Sequence, residues 1–255
     1  MGSDGQAKRD DAEPLHRRRP QAPSLWGSSD IHSPRYLRGF LSSLPRGGQA
    51  CLFLLAGDIV DRGRTEAAVP VVRAVREAYP GASIVAVFGN EEYQEIEEEL
   101  RRLTPEVDWL DDEVKVYECG SARVAVVGTR GALERPTSWQ KRHMPWLERV
   151  YRERPRIVAG LLREARREAD IVVLLSHYAL SRATIVGEPR RVWPYLYSPL
   201  MERVLVSERP NAAVHGHAHH GTPKAVVAGV PVYNVAFPLN RGPVRVAPRL
   251  ALSLF

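Results

Sequence analysis

The sequence lacks the features of a secreted or membrane-spanning protein. Only Cys51 and Cys119 are present, which is too few for a disulfide scaffold and makes a reducing cytoplasm the expected compartment. No apolar run approaches the ~20 residues that a membrane helix needs. The first 24 residues contain no apolar stretch suited to a secretory signal. A cytoplasmic protein without a membrane span is therefore expected.

Lysine is also scarce, because 32 of the 36 basic residues are Arg. This bias, with few Cys and Met, is typical of a thermophile, although a GC-rich genome produces the same bias. The net charge of +6 is compatible with a phosphate-bearing partner without requiring one. Residues 141–168 hold nine Lys or Arg against four Glu, so the positive excess is concentrated there.

The chain is predicted to form one α/β domain over residues 25–255, preceded by a polar, proline-containing tail over residues 1–24 that lies outside the fold. Short apolar runs alternate with helical patterns, which is typical of strands that are buried on both faces. These strands are predicted at residues 51–56, 84–88, 123–127, 171–175 and 212–215. Helices are predicted at 65–79 and 91–103, and further strands at 225–237 and 244–255.

Polar residues with metal-binding side chains follow these runs. Asp30 and His32 are two residues apart, so in an extended chain both side chains point to the same side. The other clusters are Gly57-Asp58-Ile-Val-Asp61-Arg62-Gly63, Gly89-Asn90-Glu91, Ser176-His177 and His215-Gly-His217-Ala-His219-His220. Each cluster alone is a weak signal, but six of the eight His lie in them. Oxygen and imidazole ligands without Cys favour Mn, Fe, Zn or Ni.

In this order, the motifs Asp-x-His, Gly-Asp-x-x-Asp-Arg-Gly, Gly-Asn-x-Glu, His and Gly-His-x-His resemble those of the calcineurin-like metallophosphoesterase family. They extend from Asp30 to His219, about three quarters of the chain. The resemblance implies a two-sheet α/β sandwich with flanking helices and a dimetal site at the carboxyl ends of the strands. It also implies phosphoester hydrolysis by a hydroxide that two divalent transition-metal ions share.

The resemblance further implies seven metal ligands. One ion would take Asp30, His32 and His219, the other would take Asn90, His177 and His217, and Asp58 would bridge both. Asp61 resembles an acid that supports a ligand or the catalytic turn, and a plain turn carboxylate is the equal alternative. Arg62 matches an arginine that grips substrate phosphate in related protein phosphatases, and a surface salt bridge is its alternative.

One residue departs from the family pattern. Where most members have Gly-Asn-His-Glu or Gly-Asn-His-Asp, this chain has Gly89-Asn90-Glu91-Glu92, and the missing His normally helps to protonate the leaving oxygen. A free Glu titrates near ~4.3, and adjacent dications favour its ionised form. We therefore expect Glu91 to orient water or supplement the metal shell, and we expect good leaving groups to be preferred. His143, His215 and His220 are the alternative proton donors, although each by itself is expected to be a structural or surface residue.

Three functions compete at this point. The first is a dimetal phosphoesterase, most simply a phosphodiesterase acting on a phosphoester substrate. The second is a nuclease that binds nucleic acid through residues 141–168, where Trp139, Trp146 and Tyr151 stand among basic residues. For this segment we expect instead a solvated helix face with its aromatic side chains packed inward. The third is a metal-bearing interaction module with weakened catalysis. The sequence does not predict an oligomeric state.

Overall fold

A computed structural model describes residues 23–250. In this range eleven strands form two sheets, and seven α-helices accompany them, with helices on both outer faces. The strands are β1 Leu25–Ser28, β2 Leu52–Ala56, β3 Ser83–Val87, β4 Val107–Leu110, β5 Glu113–Cys119, β6 Ala122–Thr129, β7 Ile171–Ser176, β8 Ala212–His215, β9 Lys224–Val227, β10 Val230–Asn234 and β11 Val244–Val246. The helices are α1 Leu37–Ser43, α2 Ala68–Ala78, α3 Glu97–Leu103, α4 Ser138–His143, α5 Leu147–Glu168, α6 Pro199–Glu208 and α7 Phe237–Asn240. The predicted two-sheet sandwich is therefore confirmed.

The first sheet has the order β11-β1-β2-β3-β4 and the second has the order β5-β6-β7-β8-β10-β9. The pairs from β1 to β4 and from β6 to β8 are parallel. Parallel strands in each sheet end at one edge, so the loops that follow β1, β2, β3, β7 and β8 meet at that edge. This is the arrangement that brings the sequence motifs together.

Alternating side chains along the buried strands divide the core into layers. In β2, Leu52 and Leu54 pack between the two sheets, whereas Phe53 and Leu55 pack with residues of α1 and α2. The outer face of the second sheet packs against α5 and α6. Strands such as β2 read as continuous apolar runs because both of their faces are covered.

The predicted elements differ from the structure mainly at their ends. The helix predicted at 91–103 is shorter, because Glu91 and Glu92 belong to a hydrogen-bonded loop, and a 3-10 turn precedes α3. The strand predicted at 225–237 is two strands, which are joined by a tight turn where Ala228 and Gly229 have positive φ. Only Val244–Val246 of the strand predicted at 244–255 is formed among the residues that the structure describes.

Some predictions concern the ends of the chain. Residues 1–22 and 251–255 lie outside the described residues, so most of the predicted tail at 1–24 lies there. The division into a tail and a domain over 25–255 stays a prediction. No helix among the described residues is long and apolar enough to cross a membrane.

Cys51 and Cys119 form a disulfide with Cα atoms 5.6 Å apart. It joins the residue before β2, in the first sheet, to the end of β5 in the second. The sequence analysis did not predict this link, because two cysteines 68 positions apart carry no signal that they meet in space. The cytoplasmic location stays a prediction.

Candidate metal centre

Two groups of metal-binding side chains lie at the carboxyl ends of the parallel strands. Within each group the potential ligand atoms all lie within 4.8 Å of one another. The first group, named group A here, contains Asp30, His32 and His219, and the second, group B, contains Asp58, His177 and His217. His217 and His219 are half-buried and the other four residues are buried, in loops that follow β1, β2, β7 and β8.

Asp58 lies between the groups. Its Oδ1 atom is 3.6 Å from Nε2 of His177 in group B, and its Oδ2 atom is 3.8 Å from Nε2 of His32 in group A. Each carboxylate oxygen therefore faces a different group. This is the geometry that a bridging carboxylate requires, and it places both groups around one shared centre.

Asn90 adds an amide oxygen to group B. Its Oδ1 atom lies 3.0 Å from Nε2 of His177. An amide oxygen and an imidazole nitrogen that face each other at this distance can bind one cation between them after a small adjustment. The structure thus brings together all seven residues that the sequence analysis selected as ligands.

The two histidines of group B are oriented by backbone carbonyl groups. Nδ1 of His177 is 3.0 Å from the carbonyl oxygen of Ala56, and Nε2 of His217 is 3.0 Å from that of Tyr195. Because a carbonyl only accepts, these nitrogens carry the protons, and Nε2 of His177 and Nδ1 of His217 are left as lone-pair donors. Such outer hydrogen bonds fix the tautomer of metal-binding histidines.

Group A is held differently. Nε2 of His219 lies 2.9 Å from Oδ1 of Asp30, so these two ligands bond to each other. Both ring nitrogens of His32 are buried and have no hydrogen-bond partner in the part of the chain that the structure describes. A buried polar atom without a partner is unfavourable, and a cation beside His32 would satisfy it.

The protonation chemistry of these residues also fits divalent cations. Burial, together with the negative charges of Glu92 and Asp30, raises the pKa of Asp58 well above its usual value. Burial would also raise the pKa of Asp30, but the hydrogen bond and charge of His219 hold it below its usual value. Burial lowers the pKa of His177 and of His217, which keeps them in the neutral form that binds metals. Divalent cations would compensate the clustered carboxylates.

The loops that carry the ligands adopt strained backbone conformations. Five non-glycine residues of the motifs have positive φ: Asp30 (55°), His32 (43°), Asp58 (49°), Arg62 (52°) and His217 (68°). Such strain persists only where the surroundings determine the conformation, and it concentrates at functional sites. A side chain at Gly89 would collide with Asp58, which explains why glycine stands there.

Glu92 supports the turn around Asp58. Its buried carboxylate accepts backbone N–H groups of Asp58, Ile59, Val60 and Gly89 at 2.7–3.0 Å. Burial raises the pKa of Glu92 although these bonds favour its ionised form. The sequence analysis quoted Glu92 but assigned it no role; its place after Asn90 and Glu91 in the motif was the available signal.

Arg130, just after β6, holds the same loop from the other side. Its guanidinium donates to the carbonyl oxygens of Gly89 and Glu92 and pairs with Glu97 at 2.5 Å. Arg130 is mostly buried, so its hydrogen bonds are poorly accessible to water. Its role was not predicted, because nothing in the sequence shows that β6 and the loop after β3 are neighbours across the two sheets.

The three residues predicted to act in catalysis surround the groups without joining them. Glu91 donates its N–H to Oδ1 of Asp58 at 2.8 Å, and its Oε2 atom accepts the N–H of Arg62 at 2.7 Å. The side chain of Arg62 is exposed. The carboxylate of Asp61 has no hydrogen bond or ion pair within residues 23–250, so the structure does not show it supporting a ligand.

The other candidate histidines have different surroundings. His215 is buried, with Nε2 2.7 Å from Oγ1 of Thr184 and Nδ1 2.8 Å from the carbonyl oxygen of Gly216, and burial lowers its pKa to about 4. His143 is stacked on Trp139 and bonds to the carbonyl of that residue. His220 is exposed. None of the three therefore joins either group.

The basic segment 141–168 includes the end of α4 and all of α5. Tyr151 packs inward, as expected for a solvated helix face, but Trp139 and Trp146 are 61% and 53% exposed, so the expectation of inward packing is wrong for them. Arg154 is buried instead of solvated, because it bonds to Asp112 and to the carbonyl of Gly131. Its guanidinium is thus a structural cation.

Comparison with known proteins identifies the class. The calcineurin-like phosphoesterase family matches residues 24–221, and the chain belongs to this family. It is accordingly a metal-dependent phosphoesterase, as the resemblance of its motifs predicted, and members of the family typically bind two divalent metals. No curated protein matches the sequence significantly.

Solved structures share the fold. A phosphopantetheinyl hydrolase of Mycobacterium tuberculosis superposes with a TM-score of 0.66 at 14% identity, over 92% of this chain and 99% of its own. A Thermus thermophilus protein gives a TM-score of 0.54 at 12% identity, over 90% of this chain and 100% of its own. A Staphylococcus aureus protein assigned as a 5'-nucleotidase gives 0.51 at 16% identity, over 83% of this chain and 48% of its own. At these identities the similarity shows the fold alone.

Proposed function

We propose that the protein is a phosphodiesterase that acts on esters with good leaving groups and uses two divalent transition-metal ions. The proposed ligands are those of group A, those of group B and Asn90, with Asp58 bridging. The observation that carries this proposal is the position of Asp58, whose two oxygens each face a different ligand group. Mn, Fe, Zn and Ni all suit these oxygen and nitrogen ligands.

Two cations in this site would act as Lewis acids toward a phosphoryl oxygen and would lower the pKa of water toward ~7. The protein's own backbone and side chains orient the metal ligands. The carbonyl groups of Ala56 and Tyr195 aim the lone pairs of His177 and His217, while Glu92 and Arg130 hold the loops that carry Asp58 and Asn90. Arg62, exposed beside these loops, is positioned to contact a phosphate, for which its planar guanidinium is suited.

The preference for good leaving groups follows from Glu91. Its Oε2 atom accepts the N–H of Arg62, which holds this carboxylate against the turn that follows Asp58. His215 has both ring nitrogens engaged, and His143 is bonded to Trp139. Neither His215 nor His143 is thus free to replace the histidine that most family members carry, and the leaving oxygen is expected to depart with little assistance.

The similar structures do not by themselves distinguish a diester from a monoester substrate. One is named for hydrolysis of a phosphopantetheinyl group and another for a nucleotidase activity. The replacement of that histidine by Glu91 favours esters whose leaving group is acidic. The residues of the site support ester hydrolysis, and the substrate screen described below tests which class of ester is cleaved.

A nuclease is the second candidate, because Trp139 and Trp146 are exposed beside the basic residues of α4. Exposed aromatic rings next to cations can stack on bases of a single strand. A metal-bearing interaction module is less well supported, since the seven ligand side chains converge as hydrolysis would require.

The experiment is a substrate screen with metal analysis. Protein freed of metal by a chelator is reloaded with Mn, Ni, Zn or Mg and assayed with bis(4-nitrophenyl) phosphate and with a dialkyl phosphate. We expect about two bound ions, turnover of the aryl diester that the chelator abolishes, and far slower turnover of the dialkyl diester. Turnover that persists without metal, or equal rates for the two esters, would contradict the proposal.

A further inference from the structure

A cleft of about 330 Å³, on the loops that carry His32 and Asp58, is lined by Pro34, Arg35, Asp61, Arg62 and Arg64. We propose that this cleft, through Arg35 and Arg64 together with Arg62, binds a second phosphate group of a small substrate that carries two phosphates. The inference rests on the proposed function, since the first phosphate would occupy the metal centre. The volume of the cleft falls at the lower end of the range for ligand pockets.

The cleft and the metal centre share their framework. Pro34 follows His32 by two residues, and the N–H of Asp61 donates to the carbonyl oxygen of Ser33 at 3.1 Å. On the other side, the N–H groups of Arg62 and Gly63 bond to Glu91 at 2.7 and 3.0 Å, next to Asn90. The cleft therefore stands on the loops that also carry the metal ligands, which is the basis for one small ligand that contacts both.

The three arginines of the cleft have no ion-pair partner in the part of the chain that the structure describes. The side chains of Arg35, Arg62 and Arg64 are exposed and form no ion pair within the described residues, although Arg35 lies over the ring of Tyr36. Three arginines and one aspartate give the lining a net charge of +2. A phosphate monoester carries about −1.5 to −2 at pH 7, so the two charges match.

The charges of the metal centre do not neutralise the net positive charge of the cleft. The ligands Asp30 and Asp58, with the neighbouring Glu91 and Glu92, carry four formal negative charges, which equal the charge of two divalent cations. The arginines of the cleft are thus not needed to balance the loaded centre. Guanidinium groups bind phosphate oxygens through paired hydrogen bonds, which makes a phosphate the favoured ligand over a carboxylate of lower charge.

Calorimetry on the metal-loaded full chain tests the inference with adenosine 3',5'-bisphosphate and adenosine 5'-monophosphate as probes. We expect the bisphosphate to bind about tenfold more tightly, because each charge-assisted contact adds about a factor of ten or more. In the double variant R35Q/R64Q this ratio should fall close to one. The matched control is R203Q, an exposed arginine of α6 on the other sheet, which should keep the ratio.

Each outcome of the binding measurements supports or overturns the proposed second-phosphate site. A ratio near one in the unchanged protein, or an equal fall in R203Q, would overturn the second-phosphate site. A ratio near one accompanied by weaker binding of a single-stranded oligonucleotide to R35Q/R64Q would replace it with a nucleic-acid contact. Turnover of bis(4-nitrophenyl) phosphate is measured in parallel: its absence would overturn the proposed function, while the calorimetric ratio would still decide the cleft.

Discussion

Groups A and B contain the same kinds of ligand, one aspartate and two histidines each, but the protein supports them differently. In group B, His177 and His217 are each oriented by a backbone carbonyl group. In group A, His32 has no hydrogen-bond partner among the described residues and His219 bonds directly to Asp30. A cation would replace one internal contact in each group, His177 with Asn90 in group B and His219 with Asp30 in group A, but only group B has both histidines oriented by the backbone and is therefore the more preorganised. We infer that group B binds its ion more tightly.

The largest effect is expected from Asp58→Ala, because Asp58 faces both groups. Both ions should bind more weakly and turnover of an aryl diester should fall by about 10³-fold or more, as expected when an essential metal is lost. Elemental analysis and steady-state kinetics measure this. Asp58→Asn keeps the shape and should show the same loss. A variant with two tightly bound ions would refute the bridging role.

Glu91→His tests the residue beside the bridge. An imidazole with a pKa near ~6.5 is suited to proton transfer at neutral pH, which is typically worth ~10²–10⁴-fold. We expect faster cleavage of poor leaving groups and a flatter dependence of rate on leaving-group pKa. Glu91→Gln, which keeps the shape but cannot titrate, should retain activity. If it loses turnover while two ions stay bound, Glu91 is the acid.

Glu92→Gln tests how much the buried hydrogen bonds of Glu92 stabilise the fold, and the neighbouring Glu91 provides the control. The carboxylate of Glu92 accepts four backbone N–H groups, and an amide would place a donor among these donors. The variant should lose about 3 kcal/mol of unfolding free energy, which lowers Tm by roughly 6–12 °C. Glu91→Gln, at a half-buried position, is the matched control and should unfold near the temperature of the unchanged protein. Equal Tm values for both variants would show that the buried network contributes little.

Stepwise metal titration tests the difference between the groups directly. The metal-free protein should bind the first ion about 10–100-fold more tightly than the second, the range over which outer hydrogen bonds change metal affinity. His217→Ala should remove the tight step and His32→Ala the weak one. His143→Ala, an exposed histidine outside both groups, should keep both steps. Loss of the tight step in His32→Ala would reverse the order inferred here.

The smallest effect is expected far from both groups, on the exposed face of α5. Neutralising Arg149, Arg152 and Arg156 to Gln should change kcat/KM for a small diester by less than about twofold, since exposed substitutions usually alter free energies by less than ~0.5 kcal/mol. A large decrease with the fold intact would place α5 at the substrate. Weaker, salt-sensitive oligonucleotide binding would instead favour the nuclease.

The central strands and the motif residues were predictable because their signals are local. A strand buried on both faces reads as an apolar run, and β8 was predicted with its observed ends at Ala212 and His215. The segment before Asp30 carries only a weak local signal for a strand, because Gly27 and two serines follow its bulky residues Leu25 and Trp26. It forms as β1 since β2 and β11 pair with it from both sides.

Roles that depend on contacts between distant segments were not predictable. Arg130 acts on a loop more than 35 residues earlier in the chain, and Cys51 meets Cys119 across the two sheets. Trp139 and Trp146 were expected to pack inward, yet the local pattern could not show that both side chains are left exposed. Such positions are set by packing, which no local spacing encodes.

The sequence by itself determined the chemistry of this protein: which oxygen and nitrogen ligands are present, that they follow strands, and that a proton-donating histidine is replaced by Glu91. These are properties of residue type and order. Only the tertiary structure decided how the ligands divide into a preorganised group B and a less supported group A. It also decided that three arginines face one cleft. The reason is physical, because hydrogen bonds to Ala56 and Tyr195, like the clustering of charges, exist only once separate loops meet at one edge of the two sheets.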